Sequence, residues 1–171
     1  MGCTSSSTTA DWQVTLKKPK KGVLPCVVQL DYMPGMGRAD PLRQMFEYHG
    51  QPYVKIDIKP EAWNERKSCG EGGEFDGGGL PQVQFRALDG TIHRLSQFGA
   101  ILRFFGIKYG YYDTGNWKAS AFIDPVVDTF SDLIYALAQY AMASDEQKPY
   151  KMEDYLVLAK NIHSLIEANL M

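Results

Sequence analysis

The sequence predicts two domains in succession: an α/β domain of order βαβαββα, then an all-α domain. Three observations carry this. Strand-like runs and helical repeats alternate as far as residue 106. An Asp-Gly pair at 89–90 folds two runs directly onto each other as a hairpin. Beyond residue 120 the strand signals vanish, and two long amphipathic repeats follow.

Each element has its own signal. "CVVQLDY" (26–32) is a short apolar, β-branched run and reads as a buried strand. "MPGMG" is a glycine-broken loop. Asp40 is the expected N-cap of the next helix, with Pro41 at its first position. Leu42, Met45 and Phe46 follow at helical spacing, and Gly50 ends the helix. "YVKIDI" (53–58) alternates as a strand. Strand, helix and strand within about 30 residues make a βαβ unit with a parallel pair.

"PEAWNERKS" (60–68) is a short helix, and the glycine-rich "CGEGGEFDGGG" after it is a surface loop. That loop lacks the Gly-Lys-Ser/Thr end of a phosphate loop and precedes a strand. "LPQVQFRALDGTIHRL" is the hairpin. Pro81 cannot donate to a ladder, so it starts the strand or lies outside it. "SQFGAILRFFG" is a helix, with Ser96 the expected N-cap and Gly106 the stop.

Later, Phe122, Val126, Phe130, Leu133, Ile134, Leu137 and Tyr140 mark a helix over 120–143. Tyr155, Leu158, Ile162, Leu165 and Ile166 mark another over 151–170. The short loop through Pro149 makes the two antiparallel neighbours. The expected divisions are a polar and basic tail (1–24), the α/β domain (25–107), a linker (108–119) and a partial helical domain (120–171).

Composition narrows the function classes. The chain has 171 residues, 44% of them hydrophobic, enough for one good core or two small domains. Net charge is −2, which argues against a nucleic-acid backbone as partner. No apolar run reaches the roughly 18 residues that span a bilayer. Cys3, Cys26 and Cys69 are unclustered, and the three histidines show no ligand spacing, so no metal site is expected. The cysteine pattern favours a reducing, cytoplasmic location.

The N-terminus matches Met-Gly-x-x-x-Ser/Thr, with Gly2 as acyl acceptor and Ser6 in place. Cys3 offers a second lipid position, and Lys17, Lys18, Lys20 and Lys21 suit anionic headgroups. On this reading the tail contacts a membrane or pins the chain to an assembly. The alternative is a disordered polar tail with a chance match to a loose motif.

The βαβ-then-ββα order is that of a thioredoxin-like domain. The redox Cys-x-x-Cys is absent after the first strand, where Tyr32 stands instead. With a helical second domain, this resembles the cytosolic glutathione transferases of the tyrosine type, sigma- and mu-like, with a shortened helical domain. "YMPGMGRADPLR" aligns with the catalytic-tyrosine segment, "EAWNERK", "GGLPQVQF" and "LSQFGAILRFF" with the glutathione-binding segments, and "VVDTFSDL" with the start of the first long helix of the second domain.

The resemblance implies roles residue by residue. Tyr32 falls on the catalytic tyrosine and Arg38 on the arginine that supports it. Trp63 and Lys67 fall on the pair that holds the glycine carboxylate of glutathione. Pro81 falls on the cis-proline that lets Leu80 pair with the tripeptide backbone. Gln97 falls on the γ-glutamyl glutamine, and Asp128 on an acid that reaches across a dimer. Two departures stand out. Phe98 replaces the serine whose hydroxyl binds the γ-glutamyl carboxylate. The helical domain also stops at residue 171, so the sequence is either a fragment or naturally shortened.

The chemistry is direct. A thiol with a pKa near 8.5 is mostly protonated at neutral pH. A hydroxyl donating to the sulfur stabilises the anion, and one pKa unit is worth about 1.4 kcal/mol. Tyr32, at a strand end beside a helix N-terminus, suits that role. Each position also has a plainer reading. Tyr32 can merely pack, Arg38 can pair with Asp40, and Trp63 can be a core residue beside a solvated Lys67. Gln97 can simply cap its helix, and Asp128 can be solvated. Two functions therefore remain. One is a dimeric glutathione transferase using glutathione as co-substrate to attack small electrophiles. The other is a weakened subunit with a structural role in a larger assembly.

Overall fold

The computed structural model describes residues 22–68 and 79–170. The N-terminal tail with Gly2 and Cys3, and most of the glycine-rich loop, lie outside the described residues. The chain divides into two compact units that meet between Tyr109 and Gly110.

The first unit runs β1 (Val28–Tyr32), α1 (Asp40–His49), β2 (Tyr53–Asp57), α2 (Pro60–Ser68), β3 (Gln82–Arg86), β4 (Ile92–Ser96) and α3 (Phe98–Tyr109). This is the order read from the sequence. The sheet order is β2-β1-β3-β4. β1 pairs parallel with β2, while β3 pairs antiparallel with both β1 and β4.

Alternation along β1 sorts its side chains onto two faces. Val28 and Leu30 join Val83 and Phe85 in a core closed by Leu42 and Phe46 of α1 and by Ile101 and Phe105 of α3. Phe46 and Phe105 meet edge to face, with centroids 4.6 Å apart. Gln29 and Asp31 point to the other face. Their sheet partners there are Gln84 and Gln82, and these pair in turn with Arg94 and Ser96. This second face is polar and internally bonded. Gln29 donates to Asp31 at 2.8 Å, and Arg94 donates to Gln84 at 3.0 Å.

Buried Gln51 ties the start of the unit together. Its carbonyl accepts from the Leu24 amide at 2.7 Å, and its amide donates to the Cys26 carbonyl at 2.9 Å. Its carbonyl also accepts from the Tyr109 hydroxyl at 3.4 Å, so the entering chain, the turn before β2 and the end of α3 share one side chain.

The second unit consists of α4 (Trp117–Met142) and α5 (Lys148–Leu170). Asn116 caps α4 by accepting from the Ala119 amide at 3.3 Å. Two helices alone bury little, and Ala136 is the one buried hydrophobic among the described residues of this unit.

Several sequence-based boundaries move, each for a physical reason. Ala39, not Asp40, is the cap of α1, because the Asp40 carboxylate is engaged by the Gly37 amide and Arg43. Ser96 closes β4 in pairing with Gln82, so the capping position of α3 passes to Gln97, whose carbonyl accepts from the Ile101 amide at 3.0 Å. Gly106 does not stop α3. It is buried within the helix, and the chain turns instead at Gly110, in the left-handed region at φ 86°. α4 begins at Trp117 and α5 at Lys148. Pro149 thus sits in the first turn of α5, where its missing N–H costs nothing.

Candidate functional site

The strand register brings several sequence-predicted residues to one end of the sheet. Tyr32 ends β1. Leu80 and Pro81 immediately precede β3, and Gln82 pairs with Asp31. Gln97 follows β4, whose last residue, Ser96, pairs with Gln82. Tyr32, Leu80, Pro81 and Gln97 therefore share this end, together with the N-termini of α1 and α3. The Leu80–Pro81 peptide is cis.

Tyr32 is half-buried, its ring packed against the core. Its hydroxyl accepts a hydrogen bond from the backbone N–H of Arg38 at 3.0 Å. Arg38 thus contacts the hydroxyl through the main chain. The alternative pairing of Arg38 with Asp40 is not what forms, because Asp40 pairs with Arg43. The accepted bond polarises the tyrosine O–H and leaves its proton available for donation.

Gly37 is required beside it. A Cβ there would overlap the Tyr32 hydroxyl, and the backbone sits at φ 150°. The turn is closed by the Asp40 amide donating to the Gly37 carbonyl at 3.0 Å. Sequence reading passed over Gly37 and Asp40 as structural. The available signal was a glycine between a strand-end tyrosine and a helix start, with Asp and Arg three residues apart.

On α2, Trp63 is buried at 6% exposure, whereas Lys67 is exposed, with its Nζ 5.8 Å from the Trp63 ring centroid. That arrangement fits a core tryptophan carrying a solvated lysine and leaves Lys67 as the accessible charge. A further link was missed in the sequence. Arg66 reaches the buried Asp31 carboxylate at 3.0 Å, fastening α2 to the strand that carries Tyr32.

Gln97 is exposed with φ 68°, the one non-glycine residue in the left-handed region among the described residues. Such a conformation costs energy and often marks a functional position. Phe98 is buried at 4% exposure, its ring turned into the protein. Asp128 lies exposed on α4, in the second unit.

No family model matches the chain. A curated relative, "Probable glutathione S-transferase 6" of Caenorhabditis elegans, is 30% identical over 121 residues, covering 71% of this chain and 53% of the relative. The sigma-class glutathione transferase of Fasciola hepatica superposes with a TM-score of 0.66 at 18% identity, covering 85% of this chain and 67% of that one. The chain is similar to glutathione transferases in sequence and in fold. A prostaglandin synthase D of Nilaparvata lugens is also similar, with a TM-score of 0.56 at 28% identity over 76% of this chain and 60% of that one. The chain spans about half the length of the curated relative it matches. The similarity to these solved structures covers both the four-stranded mixed sheet and the helices that follow it. Among the described residues, no group of His, Cys, Asp or Glu could hold a metal ion, and no helix is long and apolar enough to cross a membrane.

Proposed function

We propose that the chain binds glutathione at the Tyr32 end of the sheet and activates its thiol for addition to a small electrophile. The observation that carries this reading is the Tyr32 hydroxyl. It is fixed by the Arg38 N–H at 3.0 Å, beside the N-terminus of α1, with a proton left to donate.

The other residues supply recognition. The Leu80 backbone, just ahead of β3, pairs with the tripeptide main chain. Lys67 attracts the glycine carboxylate, with Trp63 as its support. Gln97 and the first turn of α3, opening at Phe98, receive the γ-glutamyl group. Arg38 acts through its main chain, and Asp128 contributes from a partner subunit in a homodimer. On this reading the protein is a cytoplasmic transferase of alkyl or aryl groups, with glutathione as co-substrate and no metal.

One observation favours a second reading, a weakened subunit with a structural role in a larger assembly, held there or at a membrane by its N-terminal tail. Phe98 buries a phenyl group where the family places a hydroxyl. Turnover decides between the two. With glutathione and a chromogenic aryl halide, Tyr32→Phe is expected to cut the rate on the order of 10²-fold. A native protein that binds glutathione without turnover, or a Tyr32→Phe rate within about twofold of native, sinks the catalytic reading.

A further inference from the structure

Gly22, the first described residue, fixes where the N-terminal tail meets the fold. It sits in the left-handed region at φ 89°, and a Cβ there would overlap the Lys108 carbonyl oxygen and touch Tyr109. The backbone is thus pressed onto the last turn of α3, and two residues on Gln51 holds the Leu24 amide. The tail therefore joins the first unit at the C-terminal end of α3.

That junction is cationic. Lys17, Lys18, Lys20 and Lys21 stand within five residues of Gly22, and Asp11 is the one acid before it. Lys108 is exposed at the contact itself. The whole chain carries −2, so positive charge is concentrated here. The same tail opens with Met-Gly-x-x-x-Ser, in which Gly2 is the acyl acceptor and Ser6 the required hydroxyl residue. The two features complement each other. A single fourteen-carbon chain holds a protein to a bilayer only marginally, whereas one chain with a basic cluster holds it stably. Each lysine near an acidic surface adds roughly fivefold in affinity. Lysines alone would suit a nucleic acid as well, but an acyl signal has no use there.

We propose that Gly2 is an N-acylation site, and that its acyl chain and the lysine cluster at the α3 end together dock the protein on a bilayer rich in anionic headgroups. Hydrolysis removes Met1 and frees the Gly2 amine. That amine attacks the thioester carbonyl of tetradecanoyl-coenzyme A. The C–N amide bond forms, the C–S bond breaks, and coenzyme A leaves as its thiol with the proton from the amine. This docking does not rest on the glutathione reading, because none of the residues around Tyr32 takes part.

The full chain, produced with a glycine N-tetradecanoyltransferase, tests it. Intact mass should show methionine lost and one tetradecanoyl group gained, and no acyl group in Gly2→Ala. Sedimentation with phosphatidylcholine vesicles, plain or containing phosphatidylserine, reads docking. The acylated chain should pellet with the phosphatidylserine vesicles and bind plain ones about a hundred- to a thousand-fold more weakly. Lys17→Gln, Lys18→Gln, Lys20→Gln and Lys21→Gln together should cause a loss of the same size. Gly2→Ala should weaken docking at least about a hundred-fold while leaving glutathione binding unchanged, so failure here and failure of the Tyr32 site read out separately. An unacylated Gly2, equal binding to both vesicles, full docking by either variant, or tighter capture of single-stranded RNA than of vesicles would each overturn the proposal.

Discussion

Replacing Phe98 sets two effects of similar size against each other. The side chain is buried at 4% exposure at the first position of α3. Removing its ring leaves a cavity and costs about 3–5 kcal/mol of stability. That is a large share of the roughly 5–15 kcal/mol that holds a domain folded. A serine at the same place adds a hydroxyl at the mouth of a helix N-terminus. One hydrogen bond to a charged carboxylate is worth about 1.5–3 kcal/mol, or roughly ten- to a hundred-fold in affinity. The native protein, with Gln97 and the amides of Gly99 and Ala100 remaining, should therefore bind glutathione weakly. Phe98→Ser should bind it more tightly while unfolding at a lower temperature. Phe98→Ala separates the terms, because it loses the ring without gaining the hydroxyl. Calorimetric titration below the midpoint of all three proteins is the assay, with Ser and Ala matched in stability. Equal affinity of the Ser and Ala forms would refute the reasoning, as would tight binding by the native chain.

Three further outcomes follow from the geometry. Gly37→Ala places a methyl on the Tyr32 hydroxyl, so turnover should fall about as far as in Tyr32→Phe, on the order of 10²-fold; unchanged turnover would show that the hydroxyl is not held as described. Arg66→Ala strips the buried Asp31 carboxylate of its charged partner and leaves it the Gln29 donor among the described residues, so stability in denaturant titration should drop by about 3 kcal/mol, the low end because Arg66 is partly exposed. Burial raises the Tyr109 phenol and the Cys26 thiol above their ordinary values of 10.0 and 9.0. Above pH 9 the unfolded chain therefore holds fewer protons than the folded one, and stability should fall as pH rises through 9 to 11; thermal midpoints measured across that range should decline, and less steeply in Tyr109→Phe.

The order of elements was legible because period and turn chemistry are local. "YVKIDI" and "DPLRQMFEYHG" declare themselves within ten residues. The α3 boundary was not, because Ser96 looks like a cap by residue type but is drawn into β4 by its pairing with Gln82. Gly106 misled similarly: in sequence a glycine ends a helix, whereas here it is a buried packing position. Tyr32 stood out through the family resemblance of its segment rather than through its position alone, and the contact of its hydroxyl with the Arg38 amide appears only once the loop is folded. The Asp31–Arg66 link spans 35 residues and requires the sheet and α2 to be assembled before it exists. The polar face of the sheet was half visible, since Gln29 and Asp31 alternate with Val28 and Leu30, yet the run reads first as apolar.

The bond from the residue-38 amide to the Tyr32 hydroxyl has a consequence for how this segment can vary over time. The donor is written into the path of the backbone rather than into a side chain, so nineteen of the twenty amino acids supply it and only proline deletes it. Drift at position 38 can therefore alter the charge beside the site while the tyrosine stays held. A saturation library at that codon should show broad tolerance with a single sharp gap.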